Sequence, residues 1–309
     1  IQLPESLRNA EKLELTVTGV RGFVIDEYSF RILPEQIKPQ GQGQSGQLSC
    51  QEKADVIEIQ SVGGVFTVDK RNGLLSAGQG GNAVLLQSPA LIVLPLNGDG
   101  EGVQMVGKDQ KFKPYNPVCE NWIAQSVTCL PGDELISIKV KGIYKEAEGI
   151  FEYRFHKNGE VTFVYDFTML QDISPRQTGL VFTLPSSFTH LDWKRKGYWS
   201  VYPEDHIGAL TGQAEAFDAS LPVSGLAGPS KQPVKSWSYD QTAAGSNMFR
   251  STKENIYSAR LKDGSGQSVT VKSDGTQYVR AWIEGDAIRL LVADYNNPGK
   301  ENFLIPHAE

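Results

Sequence analysis

Trp193, Trp199 and Tyr202 fall within ten residues of one another, in the run Leu191-Asp192-Trp193-Lys194-Arg195-Lys196-Gly197-Tyr198-Trp199-Ser200-Val201-Tyr202-Pro203-Glu204-Asp205-His206. A flat aromatic face stacks on the C–H face of a sugar ring while neighbouring polar side chains take its hydroxyls, and this run supplies both. The same residue types also suit an aromatic cluster buried at a strand end, the reading that burial tendencies alone favour. Trp237, in Lys235-Ser236-Trp237-Ser238-Tyr239-Asp240, is a further stacking face beside a Pro- and Gly-rich stretch at 220–233. Arg250 offers a guanidinium that can fork onto a pair of hydroxyls or a carboxylate, with a structural ion pair as its plainer use. Trp282, in Arg280-Ala281-Trp282-Ile283-Glu284-Gly285-Asp286, is either a cleft-facing aromatic or a strand residue packed on a neighbour.

Other reactive types are sparse. Of four histidines, His190 and His206 bracket the aromatic run and are the only serious pair for proton transfer. His156 lies on the polar phase of its strand, and His307 is near the end. Glycoside hydrolysis needs two carboxyl groups flanking the scissile bond, and none of the 36 acids stands in a telling motif. Asn97-Gly98-Asp99-Gly100-Glu101 begins like a calcium loop but lacks the distal glutamate, so it reads as a glycine-rich turn. A carboxylate site on Asp294 near Asn296 and Asn297 has no further support. Cys50, Cys119 and Cys129 show no zinc spacing. Cys119 and Cys129 can be imagined bridging a loop, and idle thiols are the simpler reading. The expectation is no metal and no cofactor.

With a net charge of −6 and only Lys194-Arg195-Lys196 as a basic cluster, the chain lacks the stripe that nucleic acid requires. The longest apolar run, Ala90 to Leu96, contains Pro95 and is too short to span a bilayer. No signal peptide is evident at Ile1, and the abrupt start fits a mature or excised fragment. The compartment stays open, with a slight lean to periplasmic or extracellular.

The elements that must position these residues are strands. Leu13, Leu15 and Val17 alternate with polar residues, as do Ile136, Ile138 and Val140, and Phe151, Tyr153 and Phe155. Asn72-Gly73, Asn158-Gly159, Asp263-Gly264 and Asp274-Gly275 supply tight-turn chemistry between such runs. Helical periodicity is missing, so the chain reads as all-β with many antiparallel hairpins. The polar stretch from Pro39 to Gly46 separates a short N-terminal piece from the main body. That piece holds two strands around 19–22, too few to bury a face alone.

The aromatic run resembles the Trp-x-x-x-Gly-x-x-x-x-Tyr-Pro signature in the C-terminal domain of glycoside hydrolase family 2 β-galactosidases, through Trp193, Gly197, Tyr202 and Pro203. Pro175 to Leu180 and Phe182 to Pro185 read like that family's approach strand, and Val65 to Leu75 like its opening hairpin. Where the family has Gly-Pro-x-Glu, this chain has Gly197-Tyr198-Trp199-Ser200. The resemblance covers roughly residues 50 to 305. It implies a galactose-mutarotase-like supersandwich, an antiparallel all-β fold. Residues 1–38 would be the remnant of an immunoglobulin-like domain, 39–49 a linker, and 50–309 the supersandwich. It also implies that the family's catalytic glutamates, carried on a (β/α)₈ barrel, are absent, since no alternating helices are present. The role expected is then a non-catalytic domain that completes a galactoside cleft with the other domains of a parent enzyme. Trp193, Trp199, Tyr202, Trp237, Arg250 and Trp282 are the candidate carbohydrate contacts. Trp282 sits where the family's late loop offers a tryptophan to the sugar. A stand-alone carbohydrate-binding module is the main alternative, and a mutarotase-type epimerase the next.

Overall fold

The computed structural model describes residues 12–22, 24–31, 48–95, 119–173, 175–196, 210–215 and 252–296. Among them the regular elements are all strands. β1 (Lys12–Thr18) and β2 (Val24–Arg31) form a separate two-stranded antiparallel ribbon. Then follow β3 (Ser49–Glu52), β4 (Val56–Ser61), β5 (Gly64–Asp69), β6 (Leu75–Gln79), β7 (Asn82–Pro95), β8 (Ile123–Leu130), β9 (Leu135–Ile143), β10 (Ala147–His156) and β11 (Val161–Met169). The remainder are β12 (Pro175–Pro185), β13 (His190–Arg195), β14 (Thr211–Glu215), β15 (Ile256–Lys262), β16 (Ser268–Lys272), β17 (Tyr278–Glu284) and β18 (Ala287–Asn296).

One eight-stranded sheet runs in the order β17-β18-β12-β7-β6-β5-β4-β3, and two four-stranded sheets run β11-β10-β9-β8 and β14-β13-β15-β16. The pairings within these sheets are antiparallel, as the hairpin-rich sequence predicts. Alternation decides which face of each strand turns inward. Ile136, Ile138 and Val140 on β9 lie opposite Phe155, Tyr153 and Phe151 on β10, and all six are buried. They join residues from the other two sheets in a single core: Ile57, Val68 and Leu75, Leu180 and Leu184, Leu191, Trp193 and Leu261. Both small sheets therefore pack on one face of the large sheet, a two-layer sandwich. Phe163 on β11 meets Phe182 on β12 edge to face, with centroids 4.8 Å apart.

The hairpins are where the sequence put them. The turn from β5 to β6 uses Asp69 and Asn72 side chains as acceptors for Arg71 and Leu74 amides. Gly73 closes it with a φ of +67°. This turn docks on the first small sheet: Tyr153 donates to the Gly73 carbonyl at 2.9 Å and Trp122 donates to the Asn72 carbonyl at 2.8 Å. Asp69 is the last residue of β5 and Lys70 the first of the turn. At Asn158-Gly159 the asparagine side chain accepts from the Glu160 amide, and Gly159 has a φ of +85°. His156 lies part-exposed beside Thr162 at this turn, the solvated position expected of it.

The cysteines correct one reading. Cys119 lies just before β8, where its amide donates to Glu146 in the β9–β10 turn. Cys129 lies near the far end of β8, roughly 20 Å along the strand from its start at ~3.3 Å per residue. A disulfide tolerates Cα atoms no more than about 7 Å apart, so Cys119 and Cys129 cannot pair. Instead Cys129 Sγ faces Cys50 Sγ at 3.3 Å.

Candidate functional site

Trp193 is fixed by its strand. On β13 it alternates inward with Leu191 and is 4% exposed. Its cross-strand neighbour on β14 is Gly212, and the absence of a side chain there lets the indole lie flat on the backbone. A Cβ on Gly212 would fall 2.4 Å from the ring. Lys253 Nζ stands 5.0 Å from the centre of the same ring, and this lysine is fully buried at 0%. Its backbone holds it there through a two-way bridge to Val279, with bonds of 2.7 and 2.9 Å.

A polar chain continues from that bridge along the rim of the large sheet. The Glu254 carbonyl accepts from Arg195, and the Glu254 carboxylate accepts from Asn296 on β18 at 3.4 Å. Asn296 in turn accepts from Gln177 on β12 at 3.1 Å, and Gln177 accepts from Arg280 on β17 at 3.4 Å. Gln177 and Arg280 are buried. Arg280 stacks over the Trp282 ring at 4.5 Å, and the Trp282 N–H donates to Glu284 at 3.0 Å. Glu284 also accepts from Arg289, which donates to Thr183. Desolvation first, and then the charge of Glu254, raise the Tyr278 phenol above its ordinary pKa.

Of the candidate tryptophans, the two among the described residues, Trp193 and Trp282, are thus core residues, which corrects the expectation that they face a sugar. Trp282 is 1% exposed. It belongs to a second, smaller apolar cluster with Ile92, Leu94, Val181, Leu291 and Ala293, separate from the main core that holds Trp193. Tyr278, Arg280 and Trp282 share one phase of β17, while Val279 and Ala281 in the other phase enter the main core. The two indoles therefore lie on opposite sides of the large sheet and share no groove. Trp199, Tyr202, Trp237 and Arg250 lie outside the described residues.

His190 has a carboxylate partner, but one already engaged. It meets Asp192 at 2.8 Å on the outer face of β13. Arg260 and Lys262, from the neighbouring β15, hold the other oxygen of Asp192 at 2.6 and 3.1 Å. Burial pushes the Asp192 carboxyl up, but hydrogen bonds from Arg260 and Lys262 and the charges of Lys262 and His190 leave it below its ordinary value. Glu58, Glu152 and Glu160 are likewise lowered, each chiefly by a hydrogen bond to a cation: Lys53, Arg154 and Lys272. A general acid for glycoside cleavage needs the opposite shift. Asp294 accepts from Tyr165 at 2.6 Å and from Gln277 at 3.2 Å, which ties it into the sandwich. His206 and the stretch 97–101 lie outside the described residues.

Sequence reasoning missed Lys253, Gln177 and Glu254 as members of this rim. For Arg280 the signal was present, since it sits two residues before Trp282 and so on the same side of the strand. In comparisons with known proteins, no family model matches the chain, and no curated protein matches it.

Proposed function

We propose that this chain is a non-catalytic β-sandwich domain of a β-galactosidase-like glycoside hydrolase, one that helps to form a galactoside cleft with other domains of its parent. The observation that carries the reading is the anchoring of Trp193. The first residue of the aromatic signature is held over Gly212 and beside buried Lys253, so the run towards Trp199 and Tyr202 starts from a rigid point. Rigid support is what a stacking aromatic needs, because sugar affinity is lost when ordering the side chain must be added at binding. The two-layer antiparallel sandwich is the architecture that the resemblance to this family implies.

On this reading the sugar contacts are Trp199, Tyr202, Trp237 and Arg250, and Trp193 anchors the strand from which the run to Trp199 and Tyr202 departs. Titration calorimetry of the chain with methyl β-galactoside and lactose tests it. Weak binding is expected, lost in Trp199→Ala and Trp237→Ala, with no nitrophenol released from a nitrophenyl galactoside. Turnover in a contaminant-free preparation would overturn the non-catalytic assignment. Binding that persists unchanged in both variants would remove the carbohydrate contacts.

A further inference from the structure

Cys50 and Cys129 are 79 positions apart in sequence, yet their Sγ atoms lie 3.3 Å from each other. Cys50 is on β3 and Cys129 on β8, and each is the terminal strand of its sheet. Both side chains are part-buried against the main core. Two sheet edges therefore face each other across the sandwich with a thiol on each. The sulfur separation exceeds a covalent S–S length by only about 1.3 Å, within reach of small side-chain rotations.

We infer that Cys50 and Cys129 are a redox pair, and that their oxidation to a disulfide closes this margin of the sandwich by joining the large sheet to the first small one. The oxidant is a small-molecule disulfide such as oxidised glutathione. One cysteine attacks it, losing its proton and releasing one glutathione thiol. The second then attacks the mixed disulfide, forming the Sγ–Sγ bond and releasing the other. Two S–H bonds break, one S–S bond forms in the protein and one breaks in glutathione, and two electrons pass to the oxidant. Burial, the Cys50 contact and the charge of Glu52 push the Cys129 thiol up to about 12, so the exchange at neutral pH is slow. Cys119 takes no part: it is buried at the other end of β8 against Glu146.

The full chain is held in glutathione buffers from reducing to oxidising, quenched with an alkylating agent, and mapped by mass spectrometry without reduction. The expected product is a cross-link between the peptides of Cys50 and Cys129, lighter than the reduced pair by about 2 Da for the two lost hydrogens, with Cys119 alkylated. Oxidation should raise Tm by roughly 5–10 °C, since a loop of this length is closed in the unfolded chain. The rise should be lost in Cys50→Ser and in Cys129→Ser and kept in Cys119→Ser. Three free thiols in the oxidising buffer, stable glutathione adducts without the cross-link, or a link through Cys119 would each overturn the inference. The wild-type mapping decides it even if a serine variant folds poorly.

Discussion

Trp282→Ala separates a core role from a sugar-facing one. The indole is 1% exposed within the second apolar cluster. It also carries the Arg280 guanidinium on its face and donates to Glu284. Truncating a buried tryptophan costs about 3–5 kcal/mol. Loss of the desolvated cation–π contact adds up to about 2 kcal/mol, but the cavity and the stacking are not independent. Glu284 keeps its bond to Arg289, which limits the cost of the lost N–H. A net loss of about 4 kcal/mol follows. For a chain of this size each kcal/mol lowers Tm by about 2 °C, so the drop is about 8 °C. Trp282→Phe keeps most of the apolar volume, loses the Glu284 bond, and should cost about 1–2 kcal/mol. Differential scanning calorimetry of both variants, paired with galactoside titration, is the assay. An unchanged Tm in Trp282→Ala together with lost galactoside affinity would refute the burial argument and return Trp282 to the binding surface.

Other substitutions probe the frame around it. Gly73→Ala forces a side chain onto a φ of +67° and sets its Cβ 2.2 Å from Val140; a loss of at least about 2 kcal/mol is expected in urea unfolding. Tyr153→Phe removes the buried bond to the Gly73 carbonyl, and should lower stability by about 1–2 kcal/mol with no change in far-ultraviolet circular dichroism. Asp192→Asn tests the outer-face ion cluster. The folded-state pKa of Asp192 lies below its ordinary 3.8, so its stabilisation is complete above the unfolded value and is lost as pH falls through the folded one. The variant should therefore melt lower than wild type at pH 7, and the two Tm curves should converge below about pH 4. Parallel curves across that range would rule out Asp192 as the titrating group.

Much of the frame was legible because the small sheets bury one face. On β9 and β10 period two separates Ile136, Ile138 and Val140 from their polar neighbours, and the Asn-Gly pairs mark the turns. Strand β17 defeats the same method. Both of its faces are buried, so alternation cannot say whether Trp282 points to the core or to a cleft. Lys253 was equally opaque. A lysine is ordinarily solvated, and this one is drawn inside by its backbone bridge to Val279 and its place over the Trp193 ring, neither of which leaves a local sequence signal. The Cys50–Cys129 contact depends on how two sheets stack, and sheet stacking leaves no periodic trace in either strand. The pairing of β12 with both β7 and β18 is similarly non-local: it joins residues some 80 to 120 positions apart.

Each sheet of the sandwich carries one described indole: Trp122 at the head of the first small sheet, Trp193 in the second and Trp282 in the large one. Trp122 lies over Gly142 as Trp193 lies over Gly212. Each of these three sheets thus holds a fluorophore in different surroundings: an aromatic nest with Tyr144, Phe151 and Phe167, a lysine ammonium, and an arginine stack. A cation near an indole shifts its emission, so variants of this five-tryptophan chain that keep one of these three indoles at a time would let light alone report the order in which the three sheets come apart during denaturation.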